Sequence, residues 1–379
     1  MKKVAILQHR LLHYRVGLFE QLRTQCAIRG INLHLVHGQP TRRELSKKDV
    51  ASIGWADVVT NKVWEVGDRD WLWQSYPAHL HDADLVVLMQ ENRLLSNYLL
   101  LLSRIWSTRK VAFWGHGVNF QSDAPAGLRE RWKQLMLTRV DWWFAYTQMT
   151  ADIVTKAGYP LDQVTCLNNA IDNENFKADL ASVTTVELAA LRSELNLQIG
   201  VPLGLFCGSL YPDKRIDFMV QVADIVRAAL PNFSMVVIGD GPSAAEILLA
   251  VQTRPWLHWV GVKKGRDKAA YFKLASVMIN PGAVGLHVLD SFVSGVPMAT
   301  MADAKHGPEV AYLEHGVNSL NVQGGCNEYT DAVVQLLQDG AYFARMQQAS
   351  RLSADKFTLS NMVEKFADGI AQCLSVSNK

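Results

Sequence analysis

The chain has 379 residues, nearly half of them hydrophobic and a fifth charged, and a net charge of +2 from 38 basic and 36 acidic side chains. That length exceeds one hydrophobic core of ordinary size, so two domains are expected, and the near-balanced charge argues against wholesale nucleic-acid binding. The opening MKKVAILQHR holds an apolar run too short for a secretory signal and reads as a strand. No run approaches the roughly 18 apolar residues of a membrane span. Cys26, Cys166, Cys207, Cys326 and Cys373 are scattered without C-x-x-C spacing, as small buried residues would be, rather than disulfides or metal ligands. These features predict a reduced, cytoplasmic protein.

Short apolar runs alternate with helical patterns along the chain. In the first half strands are predicted at Val4–Gln8, Ile31–Val36, Asp84–Met89, Val111–Trp114, Trp142–Tyr146 and Val164–Leu167. In the second they fall at Leu203–Cys207, Met235–Ile238, Leu257–Val260, Val277–Asn280, Met298–Met301 and Ser319–Val322. Most are continuous Val/Ile/Leu/Phe runs, which suits parallel strands buried on both faces, and the alternation with helices implies two doubly wound α/β sheets. The boundary is placed after residue 172, giving domains of 1–172 and 173–358, with a final helical segment 359–379.

Four loops follow predicted strands, at the carboxyl ends where open α/β sheets bind ligands. In GSLYPDKRID, Gly208 permits a sharp turn, and Lys214 and Arg215 put positive charge at a helix start, as a diphosphate would require; an ordinary solvated loop has the same composition. Ile238-Gly-Asp-Gly-Pro242 is a turn signal, with Gly239 next to the strand. Asn280-Pro-Gly-Ala-Val-Gly-Leu286 leads into a helix from about His287 to Ser294; Gly282 and Gly285 allow close backbone approach, and Asp290 sits one turn in. His306-Gly-Pro-Glu309 puts a glutamate in the first turn of a further helix. Asp290 and Glu309 read equally as helix-dipole carboxylates. No G-x-G-x-x-G follows the first strand, which excludes the usual dinucleotide fingerprint.

In order and spacing these segments resemble glycosyltransferase family 4, the retaining group 1 transferases of the GT-B fold. GSLYPDKRID is similar to that family's G-R-L-x-x-x-K-G-x-D loop. PGAVGLHVLDSFVSGVP resembles its E-G-F-G-L-P-x-x-E-A-M-A-x-G-x-P segment, and HGPEVAYLEHGVNSL its G-x-x-E-x-x-x-x-G-x-x-G stretch. WGHGVN and the run AYTQMTADIVTKAGYPLDQVTCLNNAIDNENF fit the first domain. The resemblance implies two Rossmann-like domains facing a central cleft, with the last helix crossing back to the first. It also implies a nucleotide diphosphate sugar as co-substrate, no metal or other cofactor, and sugar transfer with retention to a saccharide or lipid-linked saccharide. The setting would be bacterial surface polysaccharide synthesis: lipopolysaccharide, capsule or exopolysaccharide. An inactive GT-B scaffold and an NDP-sugar epimerase are the alternatives on the same fold.

By resemblance, Lys214 holds the diphosphate, with Gly208, Ser209, Arg215 and Gly239 around it. Asp290 takes the ribose, Glu309 is the other helix-start glutamate, and His116 faces the sugar. The amides of Val284, Gly285, Leu286 and His287 serve the sugar and β-phosphate. Two positions depart from the pattern. Gly282 stands where the family has its first glutamate, which suggests a donor differing from glucose at the contacted hydroxyl, or a carboxylate supplied from another loop. Ser209 replaces an arginine, a loss that Arg215 or Arg15 would cover. His13, Tyr14 and Arg15, in the first strand-to-helix loop, are acceptor candidates, although a solvated loop has the same composition. Basic, apolar stretches at Arg93–Lys110 and Leu128–Trp143 suggest peripheral contact with an anionic membrane, or else amphipathic helices with a buried apolar face.

Overall fold

The structure, a computed structural model, describes residues 1–45, 49–67, 69–117 and 136–376. They fall into two compact units, Met1–Asp172 with Leu359–Lys379, and Asn173–Thr358.

Among the described residues the first unit contains nine strands: β1 (Lys2–Gln8), β2 (Ile31–His37), β3 (Asp57–Val58), β4 (Asn61–Val66), β5 (Arg69–Gln74), β6 (Leu85–Met89), β7 (Lys110–Gly115), β8 (Trp142–Ala145) and β9 (Val164–Cys166). Seven form a parallel sheet in the order β3-β2-β1-β6-β7-β8-β9. The continuous apolar runs of β1, β6, β7 and β8 are buried throughout or nearly so, as strands covered on both faces must be. The helix Leu359–Ser375 packs on this unit: Phe366 meets Trp114 at 5.0 Å and Phe144 at 4.5 Å between ring centroids.

The hairpin β4–β5 was not predicted. NKVWEV and RDWLWQ carry too much charge to read as buried strands, and β4 is exposed along most of its length. The signal was the turn glycine, Gly67, with φ of 57° between a run carrying Trp64 and one carrying Trp71 and Trp73.

The second unit holds β10 (Leu203–Cys207), β11 (Ser234–Ile238), β12 (Leu257–Trp259), β13 (Val277–Ile279), β14 (Met298–Met301) and β15 (Ser319–Val322), all parallel, ordered β12-β11-β10-β13-β14-β15. The strand order reverses between β10 and β13, so the loops leaving their carboxyl ends, 208–215 and 280–287, lie side by side at the switch point where open α/β sheets bind ligands. In the first unit the same reversal lies between β1 and β6.

Candidate functional site

In the second unit the two switch-point loops are pressed together. Ala283 donates its amide to the Asp213 carbonyl at 2.8 Å, and Lys214, 4% exposed, sends its ammonium to the Ala283 carbonyl. A Cβ on Gly282 would lie 2.2 Å from the Asp213 oxygen and 2.4 Å from the Lys214 Cα. Glycine at 282 is therefore a demand of backbone packing as well as a departure from the family pattern. Gly239 and Gly241 have the same cause one loop away: their φ values of 139° and 155° and the carbonyls of Gly208 and Leu210 leave no room for a side chain. Gly208 in turn lies against the Lys214 stem, and Ser209 is exposed.

Burial pushes the Lys214 amine down from 10.5 to about 7. No carboxylate pairs with it among the described residues. The carbonyls of Gly282 and Ala283 point inward, taking hydrogen bonds from Asn280, Thr300 and Lys214. The amides of Gly285, Leu286 and His287, by contrast, give no hydrogen bond to protein among the described residues, and Gly285 borders open space. A buried cation and unspent N–H groups on adjoining loops suit an anion.

Val284 does not belong with those three amides. Its N–H is held at 3.1 Å by His306 Nδ1, while His306 Nε2 donates to the Met301 carbonyl at 2.8 Å. This arrangement needs the neutral ring, and burial lowers the His306 pKa accordingly. Its contribution to stability is thus full above the ordinary value of 6.5 and is lost as pH falls through that value towards the lower folded one. His306→Ala, which leaves the buried Val284 N–H without an acceptor, is expected to lower unfolding free energy by about 2 kcal/mol at pH 7.5. Denaturant titration should show the gap to the parent protein shrinking at pH 5.5. Sequence reasoning passed over His306 because its work is entirely within the chain.

Two further predicted ligands have partners that only the fold reveals. Asp290, 8% exposed, accepts a 2.9 Å bond from Lys268, which reaches over from the helix Gly265–Leu274; burial raises its carboxyl against the pull of that lysine. Arg215 forks onto the exposed Asp303 carboxylate at 2.8 and 3.2 Å. It also occupies a left-handed conformation, φ 54°, at the position where the family pattern has glycine. Glu309 is buried in the 3-10 turn Pro308–Tyr312, beside Gly307, whose amide binds the Val284 carbonyl at 2.7 Å. The His287 ring is partly covered, and burial keeps it well below its ordinary pKa.

In the first unit, His116 is exposed just beyond β7 and stands edge-on to Tyr146, 4.1 Å between centroids. Arg15 is not solvated: it is 4% exposed, its guanidinium lying 4.8 Å from the Trp114 ring centre and 5.5 and 5.6 Å from those of Tyr14 and Tyr146, with Nη1 lacking a partner among the described residues. His13 is exposed and meets Tyr14 edge-on. The fold thus brings Arg15 and His116 to Tyr146, with Tyr14 on Arg15. It adds a polar cluster that no motif signalled, at the β1/β6 reversal: His9 and Arg93 both reach Glu44 (3.1 and 2.9 Å), and Arg93 also binds Glu91 at 2.7 Å. Burial pushes Glu44 up, but hydrogen bonds from His9, Thr41 and Arg93 outweigh it and hold the carboxylate well below its ordinary range.

The basic stretches are less free than their composition suggests. Arg93 is in that cluster, Lys110 is buried and donates to the Cys373 and Val376 carbonyls, and Arg104 binds Asp141. Residues 128–135 of the second stretch, including Arg129, Arg131 and Lys133, lie outside the described residues, as do Val118 and Asn119 of WGHGVN.

Residues 201–339 match the family model described as Glycosyl transferases group 1. The chain is 25% identical to the D-inositol 3-phosphate glycosyltransferase of Xylanimonas cellulosilytica, an alignment covering 96% of this chain and 82% of that protein. Among solved structures it is similar to Anabaena Alr3699/HepE in complex with UDP, with a TM-score of 0.68 at 14% identity, covering 98% and 100% of the two chains. It is likewise similar to WaaG, a glycosyltransferase involved in lipopolysaccharide biosynthesis, with a TM-score of 0.62 at 14% identity over 96% and 98%. The two likenesses bear on the fold. Residues 201–339 thus match a group 1 glycosyltransferase domain, within a chain that has the GT-B fold.

Proposed function

We propose that the protein moves a sugar from a nucleotide diphosphate sugar, taken by the β10 and β13 loops of the second unit, to a saccharide or lipid-linked saccharide taken by the first. The observation that carries this reading is Lys214: a buried amine with no acidic partner among the described residues, on loops whose amides at 285–287 are unspent. The Anabaena protein has structures with UDP and with UDP-glucose, which supports a nucleotide-sugar donor here.

Transfer proceeds with retention. The bond from the sugar's anomeric carbon to the β-phosphate oxygen breaks as the acceptor oxygen bonds that carbon on the same face, and the acceptor's proton passes to a phosphate oxygen. Lys214 and the amides meet the charge that grows on the departing diphosphate, so no divalent ion is invoked. Asp290 holds the ribose while itself oriented by Lys268, and His116 meets the sugar.

Calorimetry with a panel of nucleotide sugars tests the donor assignment. Lys214→Ala and Asp290→Ala should each weaken binding at least about tenfold, a loss of roughly 1.4 kcal/mol; unchanged affinity in both would overturn it.

The setting proposed is bacterial surface polysaccharide synthesis at the inner face of the cytoplasmic membrane. WaaG's role in lipopolysaccharide supports it, as does an apolar strip, Leu99, Leu102, Ile105 and Trp106, exposed beside Arg104 and Arg109. No helix among the described residues is long and apolar enough to cross a membrane. Flotation with vesicles containing about one-third anionic lipid should retain the protein, and Ile105→Ser with Trp106→Ser should release it. Equal flotation of both forms would count against this contact.

A further inference from the structure

One edge of the first unit's sheet carries a set of donor atoms that sugar transfer does not use. His34 lies on β2, Asp57 on the edge strand β3, and His79 in the 3-10 turn Ala78–Leu80 that precedes β6. One donor atom from each lies within 4.8 Å of the other two. Asp57 Oδ2 is 3.3 Å from His79 Nε2 and 3.9 Å from His34 Nδ1. A tetrahedral ion bound at about 2.0–2.2 Å holds neighbouring ligand atoms roughly 3.3–3.5 Å apart. One edge of the triangle already has that length; a rotation of the exposed His79 side chain would shorten its edge to His34, and a small turn of the half-exposed Asp57 carboxylate would close the 3.9 Å edge.

The surroundings leave the three groups available to one another. The two nearby cations are occupied elsewhere: Lys3 binds Asp82 at 2.6 Å and the His79 carbonyl at 3.2 Å, and Arg23 stacks over Trp55 at 4.6 Å. The Lys3 contact fixes the turn that carries His79. Register pairs Val36 with Asp57, and the Val59 amide binds the His37 carbonyl at 2.9 Å, so β3 holds its carboxylate beside β2. Among the described residues the His34 ring has no normal hydrogen bond. Its Nδ1 stands too far from Asp57 for one, and its Nε2 is buried without a partner among the described residues.

We propose that His34, Asp57 and His79 form a binding site for a divalent transition-metal ion of the zinc class, with water completing the coordination. Two imidazoles and one carboxylate suit such an ion better than calcium or magnesium, which prefer oxygen. A bound ion would clasp the edge strand β3 to the turn before β6 and stabilise the unit by mass action.

The test uses untagged full-length protein stripped with a chelator, because an affinity tag of histidines would itself bind. Calorimetric titration with zinc chloride should give one equivalent bound, and cobalt(II) should develop the intense visible bands of a tetrahedral site. His79→Ala and Asp57→Asn should each weaken zinc binding by about tenfold or more and abolish the zinc-induced rise in melting temperature. Both positions are partly or fully exposed, and an unchanged melting temperature without metal shows that the variants fold. The proposal is overturned by absence of saturable one-to-one binding below about 100 µM. It is equally overturned by binding of equal strength in both variants, which would place the ion elsewhere.

Discussion

Binding of a nucleotide sugar is expected to take up close to one proton per molecule at pH 8, and to weaken about tenfold for each pH unit above 7. Lys214 is the source. Burial sets its amine at about 7 in the free protein, so near neutrality half the molecules present no charge to an incoming diphosphate. The bound anion stabilises the ammonium and raises its pKa. Below 7 the amine is already charged and affinity is at its plateau; above 7 each binding event must draw a proton from solution. A nucleotide sugar is the right probe, because its diphosphate diester keeps constant charge over this range.

The neighbouring groups do not blur the profile. His287 and His306 are held neutral by burial, and the Cys207 thiol is pushed up to about 12. Calorimetry at pH 8 in buffers of different ionisation enthalpy reads the proton directly. Lys214→Met should bind at least tenfold more weakly at pH 6.5 and show no proton uptake. A flat affinity from pH 6.5 to 9 in the parent protein would show that Lys214 does not meet the donor. In the free protein the dependence has the opposite sense. The folded state prefers the neutral amine, so the stability contributed by Lys214 is full above 10.5 and is lost as pH falls towards 7.

The second large effect lies at Gly282. Restoring the family's acidic residue by Gly282→Glu is expected to damage the protein rather than improve it, and Gly282→Ala should already lower stability by about 3 kcal/mol. In a unit of this size that is a fall of roughly 6–12 °C in melting temperature. The added Cβ would sit within 2.4 Å of the backbone at Asp213 and Lys214, and no side-chain rotation relieves a contact with main chain. The loops would have to separate, breaking the Ala283–Asp213 hydrogen bond and moving Lys214, so donor affinity should fall with stability. Gly285→Ala is the control. Among the described residues nothing lies within 4 Å of a Cβ there, so its stability should change by less than about 0.5 kcal/mol, and any loss of nucleotide-sugar affinity would report the ligand's closeness to the backbone. An unaltered melting temperature for Gly282→Ala would mean that the two loops part freely, and glycine at 282 would then be a matter of donor choice alone.

The sequence by itself determined the periodic and covalent features. The twelve predicted strands are all present, because continuous Val, Ile, Leu and Phe runs are stable only where helices cover both faces of a parallel sheet. The β4–β5 hairpin and the two-residue β3 escaped, being polar, exposed or very short. The loops around Gly208, Lys214, Gly282 and Gly285 were legible because turn glycines and a lysine after a strand leave a local signature. What each side chain does there was not, since burial and pairing depend on residues far along the chain. Asp290 meets Lys268, Arg215 meets Asp303 and Val284 meets His306 only because strands remote in sequence end side by side. The same packing removed water from Lys214, turning an ordinary surface-looking lysine into an amine poised near neutrality. Spacing along a chain can nominate a charged residue; only the tertiary structure sets its dielectric surroundings and its partners, and these decide whether it remains free for an anion.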